Sequence, residues 1–211
     1  MAYSKKDFWL SILTGEITAW LSLPVLKNLK ILSFLAGKGI SLSVFIAAWA
    51  ILAPLGAALL LYFFYLAAKI KNRIGLFQMG KYGVIGLLNT FLNAGIYNGL
   101  IFLTNIAAGF SVDLFFAVAF IITVVNSFFW NKYWAFGEKG AERTAGEAVQ
   151  FFAVSAVVAI VNIAILHIII NVIGAPSGID PKIWANVGLA ITIVVAFFGN
   201  FFGYKFLVFK K

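Results

Sequence analysis

The fold of this chain is decided by one run of sequence without a charged side chain, LSVFIAAWAILAPLGAALLLYFFYLAA at residues 42–68. An α-helix needs about 20 predominantly apolar residues to cross the hydrocarbon core of a bilayer, and this run is longer than that. The backbone N–H and C=O groups of such a helix are satisfied within the segment, as a lipid environment requires. We therefore predict a transmembrane helix over Leu42–Ala68.

The flanking sequence contains further stretches of the same kind. Four clear ones follow at residues 80–104, 112–129, 148–172 and 183–204. One stretch precedes the run, Phe8–Leu26, and it is ambiguous because it carries Glu16 and Pro24. It either crosses the bilayer or lies in the interface as an amphipathic helix. The sequence thus predicts an all-α, polytopic transmembrane bundle with six spans, or five if the first segment is interfacial.

The composition agrees with this class. Hydrophobic residues make up 63% of the chain and charged residues 11%, with a mean hydropathy of +1.02. An ordinary soluble domain is about 45–50% apolar and about 25% charged. These values are far from those of a soluble enzyme, and they exclude disorder, which needs low hydrophobicity and high charge. The absence of cysteine excludes disulfide scaffolds and thiolate metal sites.

The basic residues predict the topology. The chain has sixteen Lys and Arg against seven Asp and Glu, and basic residues concentrate in cytoplasmic loops. With six spans and a cytoplasmic N-terminus, twelve of them fall inside and four outside, whereas five spans give ten and six. The count favours six spans, with both termini cytoplasmic in a multi-pass protein of the cytoplasmic (inner) membrane. No basic stripe is left for nucleic acid.

The four C-terminal spans contain an internal repeat. KYGVIG at 81–86 is similar to QFFAVS at 150–155, and KYWAF at 132–136 is similar to KFLVF at 205–209. The two units, residues 80–136 and 149–209, are each predicted to be a helical hairpin. Since two spans return the chain to its starting side, the repeats are parallel and related by an axis along the membrane normal. Residues 1–75 lie outside the repeat and are predicted to form an N-terminal membrane hairpin.

Three motifs carry a resemblance to a known family. GVIGLLNT (83–90), NSFFWNKYWAF (126–136) and GNFFGYKFLVF (199–209) resemble the GtrA-like family of small polytopic membrane proteins. The resemblance assigns residues 76–211 to a GtrA-like four-helix membrane domain, which is similar to the membrane domain of some dolichol-phosphate mannose synthases. It implies translocation, or flipping, of polyprenyl-phosphate-linked sugars for the synthesis of cell-surface polysaccharides.

Polar side chains recur on one face of each repeat helix, and polar groups within a bilayer face other helices or water. In the third span, Asn89, Asn93 and Tyr97 follow one another at four-residue spacing. The candidate substrate cavity comprises Asn89, Asn93, Tyr97, Asn126, Asn162 and Asn200. The alternative is that these groups hydrogen-bond between helices and only hold the bundle together. Gly95 and Gly99 are expected to be packing contacts.

Three lysines lie at the predicted cytoplasmic ends of spans, Lys81, Lys132 and Lys205. An ammonium group is a natural point-charge partner for the phosphate of a lipid-linked sugar, so these residues are candidate head-group ligands. The alternative is ordinary positive-inside anchoring.

The remaining ionisable residues give weaker signals. Glu16 is interpreted as a packing or interfacial acid, with a proton-coupling carboxylate as the alternative. His167 is the only histidine and is expected to be packed or at a cavity edge. Asp113 and Asp180 are expected in short outer loops, with Pro181 in the first turn of the last helix.

No catalytic site, metal site or cofactor is predicted, and we expect the protein not to be an enzyme. The phosphate-binding Gly-x-x-x-x-Gly-Lys-Ser/Thr loop is absent, and one histidine does not make a metal site. The function favoured is a flippase for a polyprenyl-phosphate sugar. The alternatives are a non-transporting anchor or partner of a glycosyltransferase and a small-molecule exporter of the drug/metabolite type. Expected partners are the sugar lipid and membrane lipids, and a homodimer is compatible with the small-residue faces.

Overall fold

The computed structural model describes residues 2–135 and 145–203, and every regular element within them is helical. The side chains of residues 145–148, 197, 198 and 200–203 are outside this description. The all-α, polytopic bundle predicted from the sequence is confirmed.

Seven α-helices occupy the described residues. They are α1 (Lys5–Asn28), α2 (Ile31–Gly37), α3 (Leu42–Ile70), α4 (Ile74–Thr104), α5 (Phe110–Trp130), α6 (Ala145–His167) and α7 (Pro181–Gly203). Two π-helical turns, Asn131–Ala135 and Ile168–Ile173, continue α5 and α6. Five elements in the described residues are long and apolar enough to cross a membrane: α1, α3, α4, α5 with its π turn, and α6 with its π turn. A shorter apolar segment, Pro181–Ala196, belongs to α7. The chain is a multi-pass membrane protein.

The first helix begins at a capping box. The Ser4 hydroxyl accepts a hydrogen bond from the Asp7 N–H, and the Asp7 carboxylate accepts one from the Ser4 N–H, both at 3.1 Å. This reciprocal pair satisfies two of the backbone donors at the helix start that have no partner within the helix. The helix then runs through Pro24 to Asn28, two residues beyond the predicted end.

The first helix runs antiparallel to α3. At its beginning, the Tyr3 ring packs edge-on against Tyr62, with centroids 5.5 Å apart. Near its end, Ser22 Oγ accepts a hydrogen bond from Trp49 Nε1 at 2.9 Å. The residue numbers of the partners on α3 fall as those on α1 rise, so the two helices are antiparallel and pack along their lengths.

The same helix runs parallel to α4. Asp7 pairs with Lys81, and Leu21 lies against Gly95. The residue numbers rise by the same amount on both helices from one contact to the other, as they do for parallel helices. A helix that lies along two membrane-crossing helices from end to end has the orientation of a span, whereas an interfacial helix lies across them. The geometry therefore favours α1 as a crossing helix.

Glycine permits the closest of these approaches. A Cβ atom at Gly15 would lie 2.8 Å from the Ala53 carbonyl oxygen, and one at Gly95 would lie 2.5 Å from the Leu21 carbonyl oxygen. Both obstacles are backbone atoms, which cannot swing away as a side chain can. Small residues allow helix backbones to approach closely in a membrane, and here they bring α1 against α3 and α4. A Cβ atom at Gly99 would have no atom of another helix within 4 Å in the described part of the chain.

The chain divides into two compact units. The first comprises residues 1–95 and 125–140, and the second comprises residues 96–124 and 141–211. The helices α4 and α5 each contribute residues to both units. The predicted boundary between residues 75 and 76 stays a prediction, and the N-terminal hairpin belongs to the same compact unit as the first part of α4.

Each unit has its own buried apolar contacts. In the first, the core cluster joins α3, α4 and the π turn after α5 through Leu61, Ala68, Phe77, Val84, Ile85, Trp134 and Ala135. In the second, Gly188 of α7 lies against Leu166 and Ile170, 3.2–3.3 Å from their nearest side-chain atoms. Trp184 Nε1 donates to the Ile169 carbonyl at 2.9 Å, which fixes the start of α7 to the second π turn.

The close helix approaches generate a stability prediction. We expect Gly15→Ala and Gly95→Ala each to lower the free energy of unfolding by about 1–3 kcal/mol, because the added methyl group meets backbone atoms and forces the helices apart. The measurement is the thermal unfolding midpoint of the purified protein in detergent.

Gly99→Ala is the matched control, since Gly99 lies one turn beyond Gly95 on the same helix and its added methyl group meets no other helix within 4 Å among the described residues. Its midpoint should be unchanged or raised, because alanine favours a helix over glycine by about 1 kcal/mol. Equal effects at Gly95 and Gly99 would contradict the assigned packing.

Candidate functional site

A buried ion pair joins α1 to α4 in the first unit. The Lys81 ammonium lies 2.8 Å from Asp7 Oδ1, and the two side chains are 3% and 1% exposed. The indole Nε1–H of Trp134 donates to the same carboxylate oxygen at 3.0 Å. Burial, together with the nearby Asp7 charge, raises the pKa of Tyr3, so this phenol stays neutral beside the carboxylate. Removing Lys81 would leave the Asp7 carboxylate buried without its counter-charge.

Local structure positions each member of this cluster. Asp7 lies in the first turn of α1, where Oδ2 accepts the Ser4 hydroxyl at 2.6 Å and the Ser4 N–H at 3.1 Å. A carboxylate is favoured there by the helix dipole. On α4, the Lys81 ammonium lies over the ring of Phe77, 4.7 Å from its centroid. The π turn after α5 places Trp134 in the core.

The sequence marked Lys81 as a candidate head-group ligand but did not reveal its partner Asp7. Asp7 was overlooked because it is far from Lys81 along the chain and only the packing of α1 on α4 brings the two together. The available signal was the capping-box pattern Ser4-x-x-Asp7, which predicts that a carboxylate begins the first helix. The role of Lys81 toward a head group stays a prediction.

The other two candidate lysines differ in their positions. Lys132 is exposed on the first π turn, with its ammonium 5.7 Å from the Phe128 ring centroid and 5.6 Å from that of Tyr133. Lys205 lies outside the described residues. Of the three predicted head-group ligands, Lys132 is therefore the one seen on an exposed surface.

Two candidate cavity residues of the first unit bind each other. Asn126 Nδ2 on α5 donates to Asn89 Oδ1 on α4 at 2.8 Å. The two polar faces therefore meet, in the manner of the alternative interpretation, as an amide bond between helices. Both side chains keep partial exposure.

Three buried amide oxygens have no hydrogen-bond partner within the described residues. They belong to Asn93, Asn131 and Asn162. The amide nitrogens of Asn131 and Asn162 donate to backbone carbonyls one turn earlier, at Ser127 and Val158, so only their acceptor ends are available. Asn93 and Asn162 were predicted from the sequence, whereas Asn131 was overlooked because the π turn that buries it has no evident sequence signal.

In the second unit, Tyr97 is fully buried, and its hydroxyl lies 3.5 Å from the Ala185 carbonyl. Beside it, Asn98 and Asn186 exchange two amide hydrogen bonds of 2.9 and 2.8 Å between α4 and α7. This reciprocal pair was overlooked because Asn98 lies off the face chosen from the spacing. The side chain of Asn200 is outside the described residues.

A second polar cluster fastens the second π turn to the start of α5. Asp113 Oδ2 lies 2.6 Å from His167 Nδ1 and accepts from Asn171 Nδ2 at 3.3 Å. Asn171 Oδ1 in turn accepts the Gly109 N–H at 2.6 Å. The expectation that Asp113 lies in a loop was wrong, because it is buried in the first turn of α5. Pro181 begins α7 as expected.

Glu16 has a local partner. Its Oε1 accepts from Trp20 Nε1 at 2.7 Å, one turn later on the same helix. Within residues 2–135 and 145–203, no group of three or more His, Asp or Glu side chains is placed to hold a metal ion.

Comparison with known proteins addresses the family. Residues 81–209 match the family described as GtrA/DPMS, transmembrane domain. The chain belongs to this family. The GtrA-like resemblance seen in the three motifs is thereby confirmed, and the match begins at Lys81 and includes all four repeat helices. No curated protein and no solved structure shows significant similarity to the chain.

Membership of the GtrA/DPMS family connects the protein with the biosynthesis of glycans and lipid-linked sugars. The match includes Lys81, Trp134 and the three amides with an available acceptor. It leaves out Asp7 and the rest of α1, α2 and α3.

The Asn98–Asn186 pair generates a coupling prediction. We expect Asn98→Ala and Asn186→Ala each to lower stability by about 1 kcal/mol, because each removes the two hydrogen bonds that join the pair. The double variant should be little worse than either single variant, since both remove the same interaction. The measurement is a double-mutant cycle of unfolding in detergent. Strictly additive losses would contradict the pairing.

Proposed function

We propose that this protein translocates a polyprenyl-phosphate-linked sugar across the cytoplasmic membrane during glycan synthesis. Membership of the GtrA/DPMS family supports the connection with lipid-linked sugars. In this proposal the sugar head group crosses between helices while the isoprenoid tail stays in the lipid. Both termini lie on the cytoplasmic side, as the distribution of basic residues favours.

The observation that carries the proposal is the presence of buried amide oxygens, at Asn93, Asn131 and Asn162, to which no group in the described part of the chain donates. Leaving a buried acceptor unsatisfied costs about 1–3 kcal/mol, so such groups favour a donor from outside the chain. Sugar hydroxyls are neutral donors that fit this requirement. A neutral, hydroxyl-rich head group accordingly suits a membrane interior that offers amides.

The phosphate needs a cationic partner near the membrane surface. Lys132 supplies an exposed ammonium flanked by the rings of Phe128 and Tyr133. A lysine ammonium is a compact point charge that binds phosphate without a fixed geometry, so it can release the phosphate as well as capture it.

The proposal gives the chain no catalytic step. In this proposal, transport follows the gradient of the lipid-linked sugar or of a coupled ion, and glycosyl transfer is a separate reaction.

Reconstitution tests the proposal directly. We expect liposomes containing the protein to move a fluorescent short-chain polyprenyl-phosphate sugar between leaflets faster than protein-free liposomes do. Asn93→Leu should slow this movement about tenfold, the equivalent of about 1.4 kcal/mol, because it removes an acceptor for a sugar hydroxyl. The readout is the fraction of labelled lipid accessible to an external quencher over time.

Thr90→Val is the matched control for Asn93→Leu. Thr90 lies one turn earlier on α4, and its hydroxyl donates to the Gly86 carbonyl of its own helix at 2.9 Å. Its removal should leave the rate unchanged. No acceleration over protein-free liposomes would contradict translocation, and retained binding of the lipid in that case would support the anchor or partner alternative.

Lys132 is tested separately. We expect Lys132→Ala to raise the apparent KM for the sugar lipid about tenfold, because the phosphate loses its counter-charge, while Lys132→Arg retains most of the activity. Lys38→Ala is the control, since Lys38 is also exposed and its ammonium lies 5.8 Å from the ring centroid of Phe34. Equal effects of Lys132→Ala and Lys38→Ala would argue against a specific phosphate contact.

A further inference from the structure

Two donors of the family-matched region converge on a single oxygen atom. Lys81 Nζ lies 2.8 Å from Asp7 Oδ1, and Trp134 Nε1 donates to the same oxygen at 3.0 Å. The other carboxylate oxygen accepts hydrogen bonds from the N–H and the hydroxyl of Ser4, in the same N-terminal segment as Asp7. The donors from α4 and the π turn therefore form a two-pronged site for one anionic oxygen.

Such a site requires an anion. Lys81 is 2% exposed, so its charge is removed from water and must be compensated by a negative group. A carboxylate fulfils this need, and a phosphate oxygen fulfils it equally, since both accept charge-assisted hydrogen bonds of this length.

The anion and its donors come from different parts of the chain. Lys81 and Trp134 lie within the residues that match the GtrA/DPMS family, 81–209, whereas Asp7 lies in the segment before it. Asp7 is held at the start of α1, in the first turn, close to the N-terminus of the described residues. The N-terminal segment thus brings an internal anion to donors that belong to the family domain.

An apolar cleft lies next to this pair. It has a volume of about 190 Å³ and lies between α1, α3 and α4, where its lining includes Thr14, Gly15, Gly56, Val84 and Leu87. Val84 is one turn beyond Lys81 on α4, and Thr14 is two turns beyond Asp7 on the parallel α1. An anionic site followed by an apolar cleft matches a ligand with an anionic head and a hydrocarbon tail.

We propose that Lys81 and Trp134 form an oxyanion site for the phosphate of an isoprenyl lipid, and that Asp7 occupies this site as an internal counter-ion until the lipid replaces it. The inference rests on the proposed function, because it adds to the exposed Lys132 a second, buried site for the phosphate of the same lipid and assigns that site a resting state. Binding then requires the first turn of α1 to release Lys81, and the isoprenyl tail lies along the cleft of Val84 and Leu87. Asp7 sets the affinity by competing for the site.

The test measures binding to the full-length protein in detergent, without translocation. The probe is geranyl phosphate, with geraniol and inorganic phosphate as the separate tail and head probes, and binding is read from the shift of the unfolding midpoint with ligand concentration. Asp7→Asn should bind geranyl phosphate at least tenfold more tightly than the wild type, because Lys81 has lost its competing carboxylate. Adding Lys81→Gln should abolish this gain, and adding Trp134→Phe should reduce it.

Asp113→Asn is the matched control, since it neutralises another buried carboxylate without uncovering Lys81. Its affinity for geranyl phosphate should equal that of the wild type. If Asp7→Asn does not yield folded protein, Ser4→Ala decides, because it removes a hydroxyl that holds the carboxylate and should tighten binding in the same direction by a smaller factor.

Unchanged or weaker binding by Asp7→Asn, or by Ser4→Ala in its place, would overturn the inference and leave a purely structural ion pair. If inorganic phosphate raises the unfolding midpoint as much as geranyl phosphate does, the assignment to a lipid is overturned. If geraniol raises it as much as geranyl phosphate does, the phosphate site is overturned. If Asp7→Asn binds geranyl phosphate more tightly but the wild-type protein produces no translocation in liposomes, the proposed function is refuted and this inference stands. If the wild-type protein translocates the sugar lipid but Asp7→Asn binds no more tightly, this inference is refuted and the proposed function stands.

Discussion

The buried ion pair between Asp7 and Lys81 is the interaction on which the first unit depends. Two charges taken out of water cost several kcal/mol each, and their attraction repays this only when the geometry is good and the remaining lone pairs are satisfied. Here Trp134 and Ser4 complete the carboxylate's hydrogen bonds. The pair therefore does more than attach α1. It fixes the position of α1 along α4, because sliding the helix by one turn would separate both charges.

Close packing supports the same register from the apolar side. In lipid there is no hydrophobic drive between helices, so association depends on van der Waals contact and on interhelical hydrogen bonds. Gly15 and Gly95 bring the backbone of α1 against α3 and α4 at two levels, and Asp7 supplies the polar contact at a third. Asp7 and Lys81 are as far apart in sequence as Leu21 and Gly95. The ion pair and the close contact at Gly95 therefore favour the same alignment of α1 along α4.

The sequence predicted the helices well because each is a local property. A run such as Leu42–Ala68 contains its own evidence for a span, and the structure extends it only to Ile70. Tertiary contacts could not be predicted in this way, since the hydropathy of α1 does not indicate which helix Asp7 contacts. The π turn that buries Asn131 is also not evident from its residues, because it is a feature of backbone hydrogen bonding within an apolar helix. The Asn89–Asn126 contact was accessible because spacing placed both amides on polar faces.

The polar residues were interpreted either as a substrate cavity or as hydrogen bonds that hold the helices together, and the structure distinguishes paired amides from amides whose oxygen has no donor among the described residues. Asn89 and Asn126 satisfy each other in the first unit, as Asn98 and Asn186 do in the second, and an amide satisfied by a helix neighbour is accounted for by bundle stability alone. The acceptors of Asn93, Asn131 and Asn162 are different, because within the described residues nothing donates to them. Leaving such a buried acceptor unsatisfied costs about 1–3 kcal/mol. Bundle stability alone therefore does not account for these acceptors, and the proposed binding of sugar hydroxyls depends on them rather than on the paired amides.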